Sequence, residues 1–450
     1  MVAQIDRIKN KLLIRLLLGL ILSAVFAFGA SAAPSLLTDD EMETLIKEIV
    51  KPIFKVANVS FDENRIHLLN DMSLNAFVSD GNHLFVHTGT ILKAENVNEI
   101  SGILAHETGH IAGGHIMRQK LKIQDLQTLS VISLIAAGGA AVASGRGDAA
   151  MAIALGSHGS LLNSLMAYQM TEERSADESA VKYLKALKQS PAGLKNFMKT
   201  IQKANRLSGY EETPYFKTHP MSSERLAFFE KAEKENGGKT ASMLDKDFEF
   251  VKAKLFAFLM PVERTLKKYP LSDKTDVAMY AHAVVKFKQK KFAEAVLLMN
   301  NLIEKYPSNP YFYQLKGQFL FESGKADEAL KAYQKALELK PNSNETMLLY
   351  AESAMETNLS KTELQNVIDT LNKLQIRQET PRGWELLAKA YYQKGVEAQS
   401  LYAMAKYSFL IGNVETGKKQ IKKALSLNPS DSLKLKLKDL EEELKEEEKL

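Results

Sequence analysis

The residues best able to do chemistry stand together in one pentapeptide, His106-Glu107-Thr108-Gly109-His110. Side chains four apart share a helix face, so both imidazoles can reach a single cation. Glu107 points to the side of that cation, where it can take a proton from water. Chance alone gives a His-Glu-x-x-His on the order of once per hundred chains of this length, so the motif by itself does not decide.

Three neighbouring features separate it from histidines on an ordinary helix. Gly102, Gly109, Gly113 and Gly114 flank the motif. Each interior helix glycine costs about 1 kcal/mol relative to alanine, so four of them imply that something approaches the backbone closely. A predicted β-hairpin precedes the helix and offers an edge strand for extended substrate. A predicted helix from about Met170 carries Glu173 and Asp177, again four apart. Glu173 can be a third metal ligand, with Glu172 and Glu178 as competitors. Asp177 can accept the outer N–H of a ligating histidine or serve only as an ion-pair partner.

The remaining candidates are less specific. His115 is five residues past His110 and off its helical face, which suits a structural hydrogen bond better than ligation. His83 and His87 fall on the hairpin and read as exposed strand positions. His219 precedes Pro220, which disfavours helix and places it on a loop or helix entrance. There it can donate to a developing oxyanion, take the open metal position and hold the site latent, or simply pack. Arg225 then anchors this loop or meets substrate, and the anchor is preferred.

The whole chain narrows the choice. Its 450 residues suit two or three domains, and 45% hydrophobic residues with 25% charged can bury a core. With no cysteine, disulfides, thiol catalysis and Cys-ligated metal are excluded, so a metal site must use His and carboxylates. The net charge is +5, of which Arg7, Lys9, Lys11 and Arg15 against Asp6 hold +3. The rest carries too little to argue for nucleic acid. Those basic residues precede an apolar core, Leu16 to Phe28, and a small-residue site, Ala30-Ser31-Ala32. Residues 1–32 therefore read as a cleavable export signal, with an uncleaved anchor as the competing reading. Export without cysteine fits a Gram-negative periplasm.

Elements follow from periodicity. Thr38 and Glu41 form a capping-box pattern ahead of Met42, Leu45, Ile46, Ile49 and Ile53 at helical spacing. Asn75 to Val78, a turn at Asp80-Gly81-Asn82 and His83 to His87 make the hairpin, and helix resumes from Val97 to about Leu121. Residues 129–170 are rich in Ala, Gly and Ser. They read as a tightly packed helix pair, with peripheral membrane contact as the alternative.

Past Lys274 a 34-residue period appears: Ala283, Gly317 and Ala351; Ala295 and Ala329; Pro307 and Pro341. Small residues recur where helices meet and proline where the second helix stops, as in a tetratricopeptide solenoid. Trp384 to Gly395 and Ala405 to Pro429 supply further units, while Leu359 to Thr380 fits poorly. The expected domains are 33–262, a linker at 263–274, repeats at 275–430 and a charged capping helix at 431–450.

At this point the sequence resembles the M48 family of zinc metallopeptidases, in its periplasmic tetratricopeptide-bearing branch. The resemblance rests on Asn75-Ala76-Phe77, Gly89, the His106–His110 motif with His115, Glu173-Arg174-Ser175-Ala176-Asp177, His219-Pro220 and Arg225. It covers about Asp39 to Pro429, and the turn Ser79-Asp80-Gly81-Asn82 departs from the family's usual Pro-Gly-Gly. It implies an α+β zincin-like domain, mostly helical with a small β-sheet, followed by an all-α solenoid. It implies one zinc ion on His106, His110 and Glu173, with Glu107 as catalytic base and acid and Asn75 to Phe77 as the substrate strand. Unfolded or misfolded polypeptides are the implied substrates. The repeats would recruit partners, including outer-membrane assembly machinery.

Overall fold

A computed structural model of the chain describes residues 35–144, 147–207 and 214–447. The expected export signal at 1–32 lies outside these residues. Four strands form one mixed sheet in the order β1 (Ser35–Leu37), β2 (Ile66–Asn70), β4 (His83–His87), β3 (Ala76–Ser79). The β3–β4 hairpin is antiparallel with Ala76 opposite Val86, and β2 runs parallel to β4. Side chains alternate across a strand. Ile66, Leu68, Ala76, Val78, Leu84 and Val86 are accordingly buried in one core, while Phe77 and Phe85 stack on the opposite face. This order leaves β3 at the sheet edge.

Helix α1 (Asp40–Ala57) packs Ile46, Ile49 and Ile53 into that core. Its cap is Asp39, not Thr38: the Asp39 carboxylate accepts from Met42 N–H at 2.9 Å. Glu41 is turned away from the expected capping box, toward Lys254 and Tyr280. After a short α2 (Thr88–Lys93), α3 (Val97–Gly113) runs through the middle of the domain, buried at every residue from Val97 to Ile111. The predicted single helix to Leu121 is interrupted by Gly114, whose left-handed backbone (φ 64°) ends α3. A new helix, α4 (His115–Ser144), starts at once.

The glycines of α3 explain how neighbours come so close. A Cβ on Gly102 would lie 2.7 Å from the Leu194 nitrogen on α6 (Ala192–Leu207). One on Gly109 would lie 2.9 Å from the Ala176 Cα on α5 (Gly147–Ala186). Both distances are shorter than carbon contacts allow, so glycine is what lets α5 and α6 sit against the motif helix. Among the described residues no helix is long and apolar enough to cross a membrane.

Beyond α7 (Pro214–Thr218) and α8 (Ser223–Asn236), α9 (Asp245–Leu259) belongs to two cores at once. Phe248, Val251 and Leu255 join the sheet domain's core, while Phe250, Ala253 and Ala257 pack with Tyr280, Ala283 and Phe312 of the repeats. Where the sequence suggests a linker, α10 (Val262–Lys268) is helical. The solenoid then runs as consecutive helices from Asp276 to Glu447. Gly317 lies against the Tyr333 ring, Pro310 and Pro381 open helices, and Leu433, Leu437 and Leu440 of the last helix are buried as a cap. The poorly fitting stretch holds a helix of 17 residues, Lys361–Arg377, longer than the 12 and 13 of the helices on either side.

Candidate metal centre

Three segments meet over the middle of α3. From α3 itself come His106, Glu107 and His110; from α5, Glu173 and Asp177; from the turn after α7, His219. The two motif histidines bring their Nε2 atoms to 3.1 Å of one another. Glu173 Oε1 lies 3.3 Å from His110 Nε2, and Oε2 lies 3.4 Å from His106 Nε2. With His219, the ligand-capable atoms of all four residues fall within 4.8 Å of each other, and all four are buried. Of the three competing carboxylates, the one brought to the histidines is Glu173. Glu172 turns to His115, and Glu178 is exposed.

His106 Nδ1 is 2.9 Å from Asp177 Oδ1. Arg225 grips the other side of that carboxylate, with Nε donating to Oδ2 at 2.7 Å and Nη2 to Oδ1 at 2.9 Å. Its Nη1 reaches Glu173 Oε2 at 2.8 Å and the Pro220 carbonyl at 3.0 Å. Arg225 thus ties the His219-Pro220 turn to both carboxylates, as an anchor would. His219 follows α7, its N–H donating to the Tyr215 carbonyl at 2.7 Å and its ring lying over the buried Tyr215.

The electrostatics follow from burying so many charges together. Burial alone would depress His106, but hydrogen bonds to Asp177 and Glu173 outweigh it and lift the ring to about 10. Burial pushes His110 down to about 3, Glu173 supporting its charge only partly. Glu173 and Asp177 are held below the usual carboxylate range because their histidine and arginine partners overcome desolvation. Glu107 has the opposite fate: burial raises it, and among the described residues neither of its oxygens has a hydrogen-bond partner. A buried carboxylate without partners is expensive. Beside two imidazoles and a second carboxylate, it fits a site built around a cation. A nitrogen and oxygen donor set of this kind suits zinc.

A cavity of about 240 Å³ opens onto these groups, lined by Phe77, Val78, Glu107, His110, Glu173 and His219 among others. Of the expected substrate strand, Phe77 reaches it. Asn75 and Ala76 do not: Asn75 is bonded to Thr90 through its own N–H and C=O, and Ala76 faces the core. Val78, His115 and Tyr168 line the cavity without having been singled out for it. His87 corrects the expectation of an exposed strand position. It is buried, its ring 2.9 Å from Ser73 Oγ, because the segment before β3 folds over it.

Residues 40–233 match the model of peptidase family M48, and residues 280–344 that of the tetratricopeptide repeat. The chain carries a peptidase family M48 domain. Over 406 residues it is 26% identical to the beta-barrel assembly-enhancing protease of Yersinia pestis, covering 86% of this chain and 79% of the relative. The Escherichia coli K12 protein of the same name is 22% identical over 392 residues, covering 83% and 75%. A shorter match, 29% over 92 residues, links 20% of the chain with 26% of the mitochondrial metalloendopeptidase OMA1 of Schizosaccharomyces pombe. The M48 domain and the repeats together account for the α+β and all-α parts of the fold.

Proposed function

We propose that the chain is a zinc metalloendopeptidase that hydrolyses peptide bonds of unfolded or misassembled envelope proteins. The observation that carries this reading is the convergence of His106, His110 and Glu173 beside a buried Glu107 that makes no hydrogen bond, in a cavity. His106, His110 and Glu173 would hold the ion. Bound zinc supplies Lewis-acid polarisation of the scissile carbonyl and makes water acidic enough to ionise near neutral pH.

The remaining work falls to side chains. Glu107, with neither oxygen hydrogen-bonded among the described residues and its proton affinity raised by burial, accepts the proton from the attacking water. It then delivers that proton to the leaving amine. Asp177 holds His106 in place, and Arg225 holds Asp177. An extended substrate adds to the free edge of β3, whose Phe77 and Val78 line the cavity.

The repeats are read as the recruiting surface. A groove of about 420 Å³ there is lined by Met355, Arg382, Leu386 and Tyr392 among others. The names of the bacterial relatives favour a role in outer-membrane protein assembly, and with it a periplasmic location after export. The division into a peptidase domain at 33–262, a junction at 263–274, repeats at 275–430 and a closing helix at 431–450 belongs to the same reading.

One observation favours a second reading, a periplasmic chaperone or adaptor whose zinc site is latent. His219 lies among the ligand atoms, its Nδ1 3.5 Å from His106 Nε2, where it would take the position a substrate needs. Digestion of an unfolded outer-membrane protein by the full chain distinguishes the two. Cleavage lost on chelation and regained with zinc supports the peptidase. Cleavage indifferent to chelation removes the metal mechanism, and no cleavage even by His219→Ala leaves the adaptor.

A further inference from the structure

The break in α3 has a chemical consequence. Because Gly114 ends that helix, His115 starts the next one, and its ring folds back toward the motif. A Cβ on Gly113 would lie 2.1 Å from His115 Nε2, so the ring occupies space that only glycine leaves open. In this position His115 Nδ1 comes to 2.8 Å of His110 Nδ1. The opposite nitrogen, Nε2, is 2.8 Å from Glu172 Oε2. Glu172 in turn accepts from Arg118 Nη2 at 2.7 Å, and Arg118 Nη1 donates to the carbonyl of Gly113.

Resting on the metallopeptidase reading, we infer that His115, backed by Glu172 and Arg118, is a positioning residue that sets the tautomer of His110. Two nitrogens 2.8 Å apart must share one proton, since two N–H groups would clash and two lone pairs would repel. The Nε2 contact with Glu172 is not aligned as a hydrogen bond, but a bare ring lone pair 2.8 Å from that carboxylate oxygen would be repelled, so the proton of neutral His115 belongs on Nε2. In a neutral imidazole the other nitrogen is then an acceptor. His115 Nδ1 therefore receives Nδ1–H of His110, and His110 is left with its lone pair on Nε2. That atom faces His106 Nε2 and Glu173, the place of the metal. The opposite arrangement would put a hydrogen on His110 Nε2 and block ligation.

The two motif histidines thus share a requirement met in different ways. Asp177 touches His106 directly, whereas the carboxylate for His110 acts through a second ring. Adjacency on α5 explains the difference. Glu173 is turned into the site, so Glu172, one residue earlier, is directed beside it and meets His115. Residues that orient metal ligands in this manner are worth about 10–100-fold in metal affinity.

The test is the zinc dissociation constant of the full chain, measured by competition with a chromophoric chelator, for wild type, His115→Leu and His115→Gln. A glutamine amide can accept from His110 through its oxygen and donate to Glu172 through its nitrogen, reproducing the relay. The expected result is zinc binding weakened about 10–100-fold in His115→Leu and largely restored in His115→Gln. The visible spectrum of the cobalt-substituted protein should change in the first variant and return in the second. Equal affinity in wild type and His115→Leu overturns the relay, as does a glutamine variant no better than leucine. If thermal melting finds His115→Leu unfolded, Glu172→Leu takes its place, with the same loss expected and unchanged affinity overturning the inference. A wild type that binds no zinc brings down the metal reading beneath it, a result separate from failure of the relay alone.

Discussion

His219 Nδ1 lies 2.9 Å from Glu173 Oε1, so an imidazole from a separate turn sits directly on a carboxylate of the candidate metal centre. Its Nε2 stands 3.5 Å from Glu107 Oε1. One ring therefore faces both the proposed ligand Glu173 and the proposed base Glu107, in the space a substrate carbonyl would require. Under the proposed function this arrangement is a closed, resting form. His219→Ala is expected to raise basal cleavage of an unfolded protein, by about tenfold if nine-tenths of the molecules rest closed. A timed digest of wild type and variant at equal zinc content checks this. A sharp loss of activity would instead assign His219 to the oxyanion.

Arg225 is the cation that allows Asp177 and Glu173 to be buried near each other. Arg225→Leu leaves two carboxylates without it, and removing one partner of a buried pair costs about 3–5 kcal/mol. Arg225→Lys should recover only part of that, because an ammonium cannot reproduce the two-pronged contact. Urea unfolding monitored by circular dichroism gives both values.

The close approach of α6 to the motif helix makes a prediction away from the chemistry. Gly102→Ala places a methyl against the Leu194 backbone, an overpacking expected to cost about 1–3 kcal/mol. Helix propensity would favour alanine by about 1 kcal/mol, so a variant more stable than wild type would contradict the packing.

The junction between domain and repeats should respond to pH. Glu345 on the solenoid accepts from the backbone N–H of Asp40 at 2.8 Å. Burial, reinforced by nearby Asp39, raises its carboxyl to about 7, although the Asp40 N–H, Lys254 and Gln314 favour the charged form. A raised acid pKa means the fold prefers the protonated group. Its contribution is complete below the ordinary value of 4.5 and is lost as pH rises through about 7. Glu345→Gln keeps an acceptor and removes the titration. It should match wild type at pH 4 and melt several degrees higher at pH 8, since a rise from 4.5 to about 7 corresponds to about 3 kcal/mol.

The parts of the site visible in the sequence are those governed by local geometry. His106 with His110, and Glu173 with Asp177, are pairs four apart on helices, and helical spacing puts each pair on one face. Gly102 and Gly109 signalled close backbone approach and received it from Leu194 and Ala176. Contacts between distant segments were not visible. Nothing local says that Ser73 covers His87, or that Glu41 turns from its own helix end to Lys254 and Tyr280. The expected linker at 263–274 begins inside helix α10, and opposite faces of α9 just before it serve two cores, so the two parts join through packed helices. The step at Gly114 is similar: glycine permits the left-handed turn, but only the folded chain brings His115 back to His110.

The role of Glu107 is tested most directly by comparing wild type with Glu107→Gln on an unfolded outer-membrane protein, with bound zinc measured in both. Equal zinc content is expected, with cleavage reduced about 10²–10⁴-fold, the usual contribution of a general base. Equal cleavage by both proteins at equal zinc would contradict that role and remove Glu107 from the chemistry.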